Sequence, residues 1–242
     1  MIINLAAAAR VVPFTALMLG LAYLRGLRTA GTVASAGSRK ALGLGVLSVL
    51  AILSCRADAT PANGGNIVQG FYDALLNTMK GGRTLGQSGR FTQLEPVIRR
   101  TFDIPSMTQL SLGPSWSTLT EAQRQQVTES FGRYISAIYA DRFDSYAGQK
   151  LQVIGEQPAV AGIMVRSQIV KANGEPVNVD YMMRRNGDSW LISDIYLDGA
   201  ISEVATRRSE FAAILKSQGI DGLIAALNRK ADMLTATTAK AS

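Results

Sequence analysis

Three observations in the sequence predict an α+β fold. Apolar residues recur at helical spacing from about residue 66 to 146, the period drops to two between 150 and 197, and helical spacing returns after Gly199. A 3.6-residue period gathers side chains on one helix face, and strict alternation does the same for a half-buried strand. Helices, then tightly turned strands, then helices make the segregated arrangement of an α+β domain. The expected architecture is a curved four-stranded antiparallel sheet packed with about six helices.

The helices come first. "NIVQGFYDALLNTMK" (66–80) places Ile67, Phe71, Ala74, Leu75 and Thr78 on one wide face. The glycines of "GGRTLGQSG" (81–89) are expected to end it, because glycine weakens helical continuation. Residues 90–103 read as a short helix interrupted near Pro96, and 104–113 as another with Pro105 in its first turn. The clearest helix is 117–146. Thr120 and Gln123 have capping-box spacing, and Val127, Phe131, Tyr134, Ile135, Ile138 and Arg142 share one face.

Strands are expected at 150–156, 162–170, 176–185 and 190–197, separated by Pro158, Asn173-Gly174 and Asn186-Gly187-Asp188. Asn-Gly between alternating runs signals a hairpin, because the turn needs positive φ. Tight turns joining four strands give an antiparallel meander. After the break at Asp198-Gly199, Ile201, Val204, Phe211 and Leu215 form one helical stripe. Gly219 is expected to terminate that helix, and Ile220, Leu223, Ile224, Leu227 and Leu234 form the stripe of a last one.

The chain has 242 residues, is 47% hydrophobic and carries a formal charge of +7. Most of that charge is N-terminal: residues 1–59 hold Arg10, Arg25, Arg28, Arg39, Lys40 and Arg56 against Asp58 alone. Residues 60–242 are nearly balanced, at nineteen basic to seventeen acidic. A nucleic-acid surface needs clustered positive charge in the folded part, so nucleic acid is not an expected partner. The leader has secretory grammar. Arg39-Lys40 precede the 13-residue apolar run "ALGLGVLSVLAIL" (41–53), and "ADA" (57–59) is a small-x-small cleavage signal. The run is too short to span a bilayer comfortably. The expected division is a leader over 1–59, cleaved after Ala59, and one exported domain over 60–242. "ILSC" (52–55) offers a competing reading in which Cys55 is lipidated. A second apolar run, "VVPFTALMLGLAYL" (11–24), is either another membrane segment or the product of a start upstream of Val33.

The chemistry available is narrow. The chain has no histidine, and Cys55 is its only cysteine. That removes imidazole bases and, after cleavage, thiol nucleophiles and nearly all metal sites. No phosphate-binding glycine motif or nucleophile elbow is present. Acids such as Asp103 and Asp194 have no spacing that selects a catalytic pair. Alternation places Asp194 with Trp190, Ile192 and Tyr196 on one strand face, where a carboxylate needs a partner. Arg208, on the stripe of the following helix, is the expected one, fastening helix to sheet as an ion pair. Arg207 and Arg208 beside Asp198 are candidates for a docking or headgroup rim.

"GPSWSTLTEAQRQQVTESFGRYISAIYADRFDSY", the strand block and "GDSWLISDIYLDGAISEVATRRSEF" resemble the periplasmic lipid carriers of the Mla pathway, the MlaC-like or toluene-tolerance family. The shared pattern is Gly113 and Trp116, then Trp190, Ile192, Asp194, Ile195 and Gly199, then Arg208, Ser209 and Phe211. The resemblance runs from about 66 to 234. "FDIPSM" (102–107), "EVATRRSEF" (203–211) and "LIAALNRKAD" (223–232) are similar to the hopanoid-biosynthesis-associated branch. Ala200-Ile201 depart from residues common at that point of the wider family.

The resemblance implies an NTF2-like cone with a deep apolar pocket. It implies a periplasmic, single-chain carrier that shuttles a phospholipid or hopanoid between inner- and outer-membrane components of an ABC-type transport system, with no catalysis and no cofactor beyond the cargo. Such a cargo needs a carrier. At about 0.8 kcal/mol per methylene, a two-chain lipid loses on the order of 20 kcal/mol on entering water. Periodicity nominates the pocket walls: Phe71 and Leu75, Met107, Phe131, Ile135 and Ile138, and from the strands Val153, Val165, Ile169, Val179, Tyr181 and Ile195. The same stripes also suit ordinary core. Two other readings remain open: an NTF2-like pocket enzyme, which requires a buried acid facing the cavity with its pKa raised, and a ligand-free periplasmic assembly protein.

Overall fold

The computed structural model describes residues 63–236. The leader, with its apolar runs, Cys55 and the cleavage signal at Ala59, lies outside the described residues. The order of elements is α1 (Gly64–Thr101), α2 (Ile104–Leu112), a 3-10 turn (Gly113–Thr118), α3 (Glu121–Arg142), β1 (Lys150–Ala159), β2 (Gly162–Val170), β3 (Pro176–Asn186), β4 (Ser189–Leu197), β5 (Ile201–Ser202) and α4 (Glu203–Ala236).

The five strands follow one another in an antiparallel sheet, β1-β2-β3-β4-β5. Among the described residues the expected count of four strands and about six helices is therefore corrected to five strands and four helices. The extra strand arises at Asp198-Gly199. Both residues have positive φ, 49° and 70°, and the Ala200 amide donates to the Leu197 carbonyl at 3.2 Å. That is a two-residue hairpin turn of the Asp-Gly kind, and it folds Ile201 and Ser202 back against Leu197 and Tyr196.

The helix count falls because two expected breaks are reversals inside helices. Gly86 (φ 62°, ψ −177°) divides α1 into two limbs that fold back on each other. The Thr78 hydroxyl donates to the Gln93 side chain at 3.4 Å, whereas an unbroken helix would set the two residues about 22 Å apart. Arg90 clamps the apex, its guanidinium donating at 2.8 Å to the carbonyls of Gly82 in the first limb and Ala140 in α3. Gly219 (φ 68°, ψ −168°) does the same for α4. Arg207 and Lys230 lie 5.7 and 5.6 Å from the one ring of Tyr134, against about 35 Å along an unbroken helix. The glycines at 81 and 82, read as a terminus, stay helical. A Cβ on Gly82 would stand 2.0 Å from the Asp144 carbonyl oxygen, so the residue is small to let α1 approach the end of α3.

The capping box at Thr120 and Gln123 is present. Hairpins form at both Asn-Gly positions, with positive φ at Gly174 and Gly187 (87° and 58°) but not at the preceding asparagines. The sheet departs from simple alternation at two bulges. On β1, Val153 faces Ser167 and Gly155 faces Arg166, leaving Ile154 without a partner and 46% exposed. On β4, Asp194 faces Met182 and Ile192 faces Met183, so Ser193 is the extra residue. A bulge shifts the phase of all that follows. Ile192 and Ile195 both point into the core, and Asp194 and Tyr196 lie on the other face, not beside Ile192 as alternation predicts.

The core centres on aromatic rings. Phe71 meets Phe102, Tyr139 and Tyr181 edge-on at 5.2, 5.4 and 6.4 Å, a geometry favoured by the ring quadrupoles. Beside it, Tyr72 and Ser167 share a 2.6 Å hydrogen bond, and the Ser167 hydroxyl donates to the Val179 carbonyl. This polar thread ties α1 to β2 and β3. Burial pushes the Tyr72 phenol up to about 12, so it stays a neutral donor at any physiological pH.

At Gly219 a Cβ meets no atom within 4 Å, so Gly219→Ala tests backbone strain alone. Its conformation belongs almost solely to glycine, and the expected loss is about 1–3 kcal/mol in urea denaturation. Gly82→Ala adds a backbone clash and is expected to lose more than Gly219→Ala in the same assay.

Candidate functional site

A narrow apolar seam runs between α2, α3, β4 and the start of α4. Capping draws two of these elements together. The Asp103 carboxylate accepts from the Ser106 amide at 3.1 Å and starts α2, directly after Phe102. Asp194 does comparable work for α4: its carboxylate accepts from the Ser202 hydroxyl at 2.6 Å and the Val204 amide at 3.1 Å, while Ser202 Oγ accepts from the Ala205 amide at 3.0 Å. Asp194 thus fastens helix to sheet, but through the orphan amides of a helix N-terminus and not through the expected ion pair with Arg208. Arg208 is exposed and lies over Gly113, where a Cβ would stand 2.8 Å from its Nε.

The seam's apolar wall comes from Phe102, Met107, Ile195, Val204 and the α3 stripe of Phe131, Ile135, Ile138 and Tyr139. Of the residues nominated from sequence, Met107, Phe131, Ile135, Ile138 and Ile195 meet here. Leu75, Val165, Ile169, Val179 and Tyr181 are buried in the core away from the seam, and Val153 is half-buried against that core. Phe71 lines a separate groove on the other side of the aromatic cluster. Phe102, Tyr139, Glu203 and Val204 went unnominated. Tyr139 follows Ile135 by four residues and Val204 sits on a predicted stripe, so both carried a usable signal.

Along this seam the described residues leave no deep, ready-made pocket of the kind the resemblance implies. The walls close to a void of about 20 Å³, room for roughly one water molecule. The aromatic side chains of Phe102, Phe131 and Tyr139 fill the space that periodicity assigns to a ligand.

One end of the seam is charged. Arg207, only 3% exposed, is paired with Glu203 one turn before it and with Glu210, at 2.7 Å, one turn after it on α4. The expected rim of Arg207, Arg208 and Asp198 therefore does not assemble: Arg207 is buried, whereas Arg208 and Asp198 are exposed. Burial holds the Glu203 carboxyl above its usual range, against the pull of Arg207. For Arg207 burial pulls downward, but Glu203, Tyr134 and Glu210 carry it above its ordinary value. Burial lowers Lys230, which lies over the same tyrosine. Glu203, partly buried at the end of the seam, comes nearest to the cavity-facing acid that an enzymatic reading requires. Its carboxylate is bound by Arg207, which makes it one member of a structural ion triad. No cluster of metal-ligating side chains occurs among the described residues.

Removing one partner of a buried pair strands the other charge. Arg207→Met is expected to cost about 3–5 kcal/mol in denaturant unfolding, and adding Glu203→Gln to recover part of that loss. Asp194→Ala removes the α4 cap and is expected to cost about 1–2 kcal/mol in the same measurement.

Comparison with known proteins fits this architecture. The chain is similar to a phospholipid-binding protein from Ralstonia solanacearum, solved in complex with a phospholipid. The two share 26% identity and superpose with a TM-score of 0.62, over 72% of this chain and 99% of that one. The profile of the family described as MlaC protein matches residues 69–229, from the first limb of α1 to the second limb of α4. The chain belongs to the MlaC family.

Proposed function

We propose that the mature chain is a periplasmic phospholipid carrier and that acyl chain is held along the seam between α2, α3, β4 and α4. The observation that carries this reading is the likeness, over 72% of this chain and 99% of the other, to a protein solved with a phospholipid bound. Family membership points to a lipid-binding carrier and not an enzyme. The seam suits that role, with one apolar side chain after another from four elements and a charged group only at one end. Accommodating a chain requires Phe102, Phe131 and Tyr139 to swing aside. Each buried methylene then returns about 0.8 kcal/mol. The cargo leaves chemically unchanged.

The finer parts of the reading follow from the sequence. The leader is removed after Ala59, and the carrier works as a single chain between inner- and outer-membrane components of an ABC-type system. A hopanoid is the alternative cargo, on the resemblance of 102–107, 203–211 and 223–232 to the hopanoid-associated branch. Mass separates the two cargoes.

The test is solvent extraction of the purified 60–242 protein followed by mass spectrometry. The expected result is phospholipid at about one molecule per chain. Ile138→Trp, which adds bulk to the seam wall, is expected to reduce the extracted amount about tenfold while the fold survives by circular dichroism. Protein that carries no lipid, and takes up neither phospholipid nor hopanoid from vesicles, overturns the proposal.

A further inference from the structure

A second void lies on the far side of the aromatic cluster. It is an open groove of about 260 Å³ between the two limbs of α1 and the start of β4. Gly70 borders it, and a Cβ there meets nothing within 4 Å. Its polar lining is one-sided. Arg100 contributes a guanidinium with no ion-pair partner among the described residues, hydroxyl and amide groups stand alongside, and no carboxylate lines the groove. Trp190 forms the rim, with Arg185 stacked over its ring at 5.1 Å. A cation and neutral donors without an acid select an anionic group, and a fork of guanidinium donors matches the oxygens of a phosphate ester.

The floor of this groove is Phe71. Its ring touches Phe102 at 5.2 Å and Tyr139 at 5.4 Å, and both of those line the closed seam. One aromatic layer therefore separates an open, cationic groove from a closed, apolar one. Accepting the carrier reading above, we infer that the groove is the headgroup subsite and portal of the lipid site: Arg100 binds the phosphate, and the acyl chain passes the Phe71–Phe102–Tyr139 layer into the seam. The arrangement matches the two ends of an amphiphile, with charge at the mouth and hydrocarbon beyond the rings. It leaves the headgroup wet, which avoids the cost of burying a phosphate.

The experiment offers phosphatidylglycerol and diacylglycerol with identical chains from vesicles to the 60–242 protein, and measures each lipid bound by mass spectrometry. Wild type is expected to favour the phospholipid at least tenfold. Arg100→Glu, an exposed change that leaves the core intact, is expected to bring the ratio near one while diacylglycerol binding persists. Gly70→Phe fills the groove from a helical position with open space around it, and is expected to reduce uptake of both lipids about tenfold. A wild-type ratio in Arg100→Glu, equal loss of both lipids in that variant, or undiminished uptake by Gly70→Phe each overturns the portal while leaving the carrier reading standing. Arg100-dependent binding of inorganic phosphate with an unchanged lipid ratio assigns the groove to free anion and also overturns it. Wild-type protein that takes up neither lipid removes the carrier reading itself.

Discussion

The edge-to-face contact of Phe71 with Phe102 and Tyr139 is the constraint on which the molecule turns. Phe71 comes from the first limb of α1, Phe102 from just beyond the second, and Tyr139 from α3. The contact therefore exists only because α1 reverses at Gly86 and because Arg90 pins that reversal to α3. It binds the helical hairpin to the rest of the core through dispersion and quadrupole terms, which have no hydrogen bond to break. Such a contact can be displaced by another apolar group of similar bulk at modest cost. A polar lock at the same place could not, since opening it would strand unsatisfied donors.

The polar ties sit elsewhere. Tyr72 and Ser167 join α1 to the sheet, the Asp194–Ser202 cap joins β4 to α4, and Glu203, Arg207 and Glu210 brace the first limb of α4. Each is either fully satisfied or held within two turns of one helix. The fold thus separates its polar ties from its apolar packing. Directional bonds hold the frame, and nondirectional packing fills the interior. A satisfied buried ion triad is costly to break and adds little net stability. Its fitness for holding geometry at the end of the seam matters more than its energy.

The sequence carried the strands well because alternation is a local signal. All four long strands appear within a few residues of their expected limits, and hairpins form at both Asn-Gly positions. The misses have physical causes. Asp198-Gly199 is itself a hairpin signal, and reading it only as a break lost β5. Gly86 and Gly219 marked interruptions correctly, but a local signal does not say that the chain reverses upon itself. Ser193 is an ordinary residue, and nothing local marks it as a bulge. The phase shift it causes moved Asp194 to the other face and removed the basis for pairing it with Arg208. At the candidate site, the α3 stripe was legible because periodicity determines which side chains share a face. Whether that face lines a cavity or a filled core depends on rings from Phe102 and Tyr139, and hence on tertiary packing that no window of sequence contains.

The Ile154 bulge bears on how the molecule behaves in company. Among the described residues β1 has one side unpaired along its length, while β4 at the other border is paired by β5 only at Tyr196 and Leu197. Unpaired backbone invites a neighbour's strand to continue the ladder. Here the irregularity at Ile154 breaks the spacing of donors and acceptors, and Pro158 withholds an amide further along. The border is thereby ill-suited to templating a second copy through the sheet.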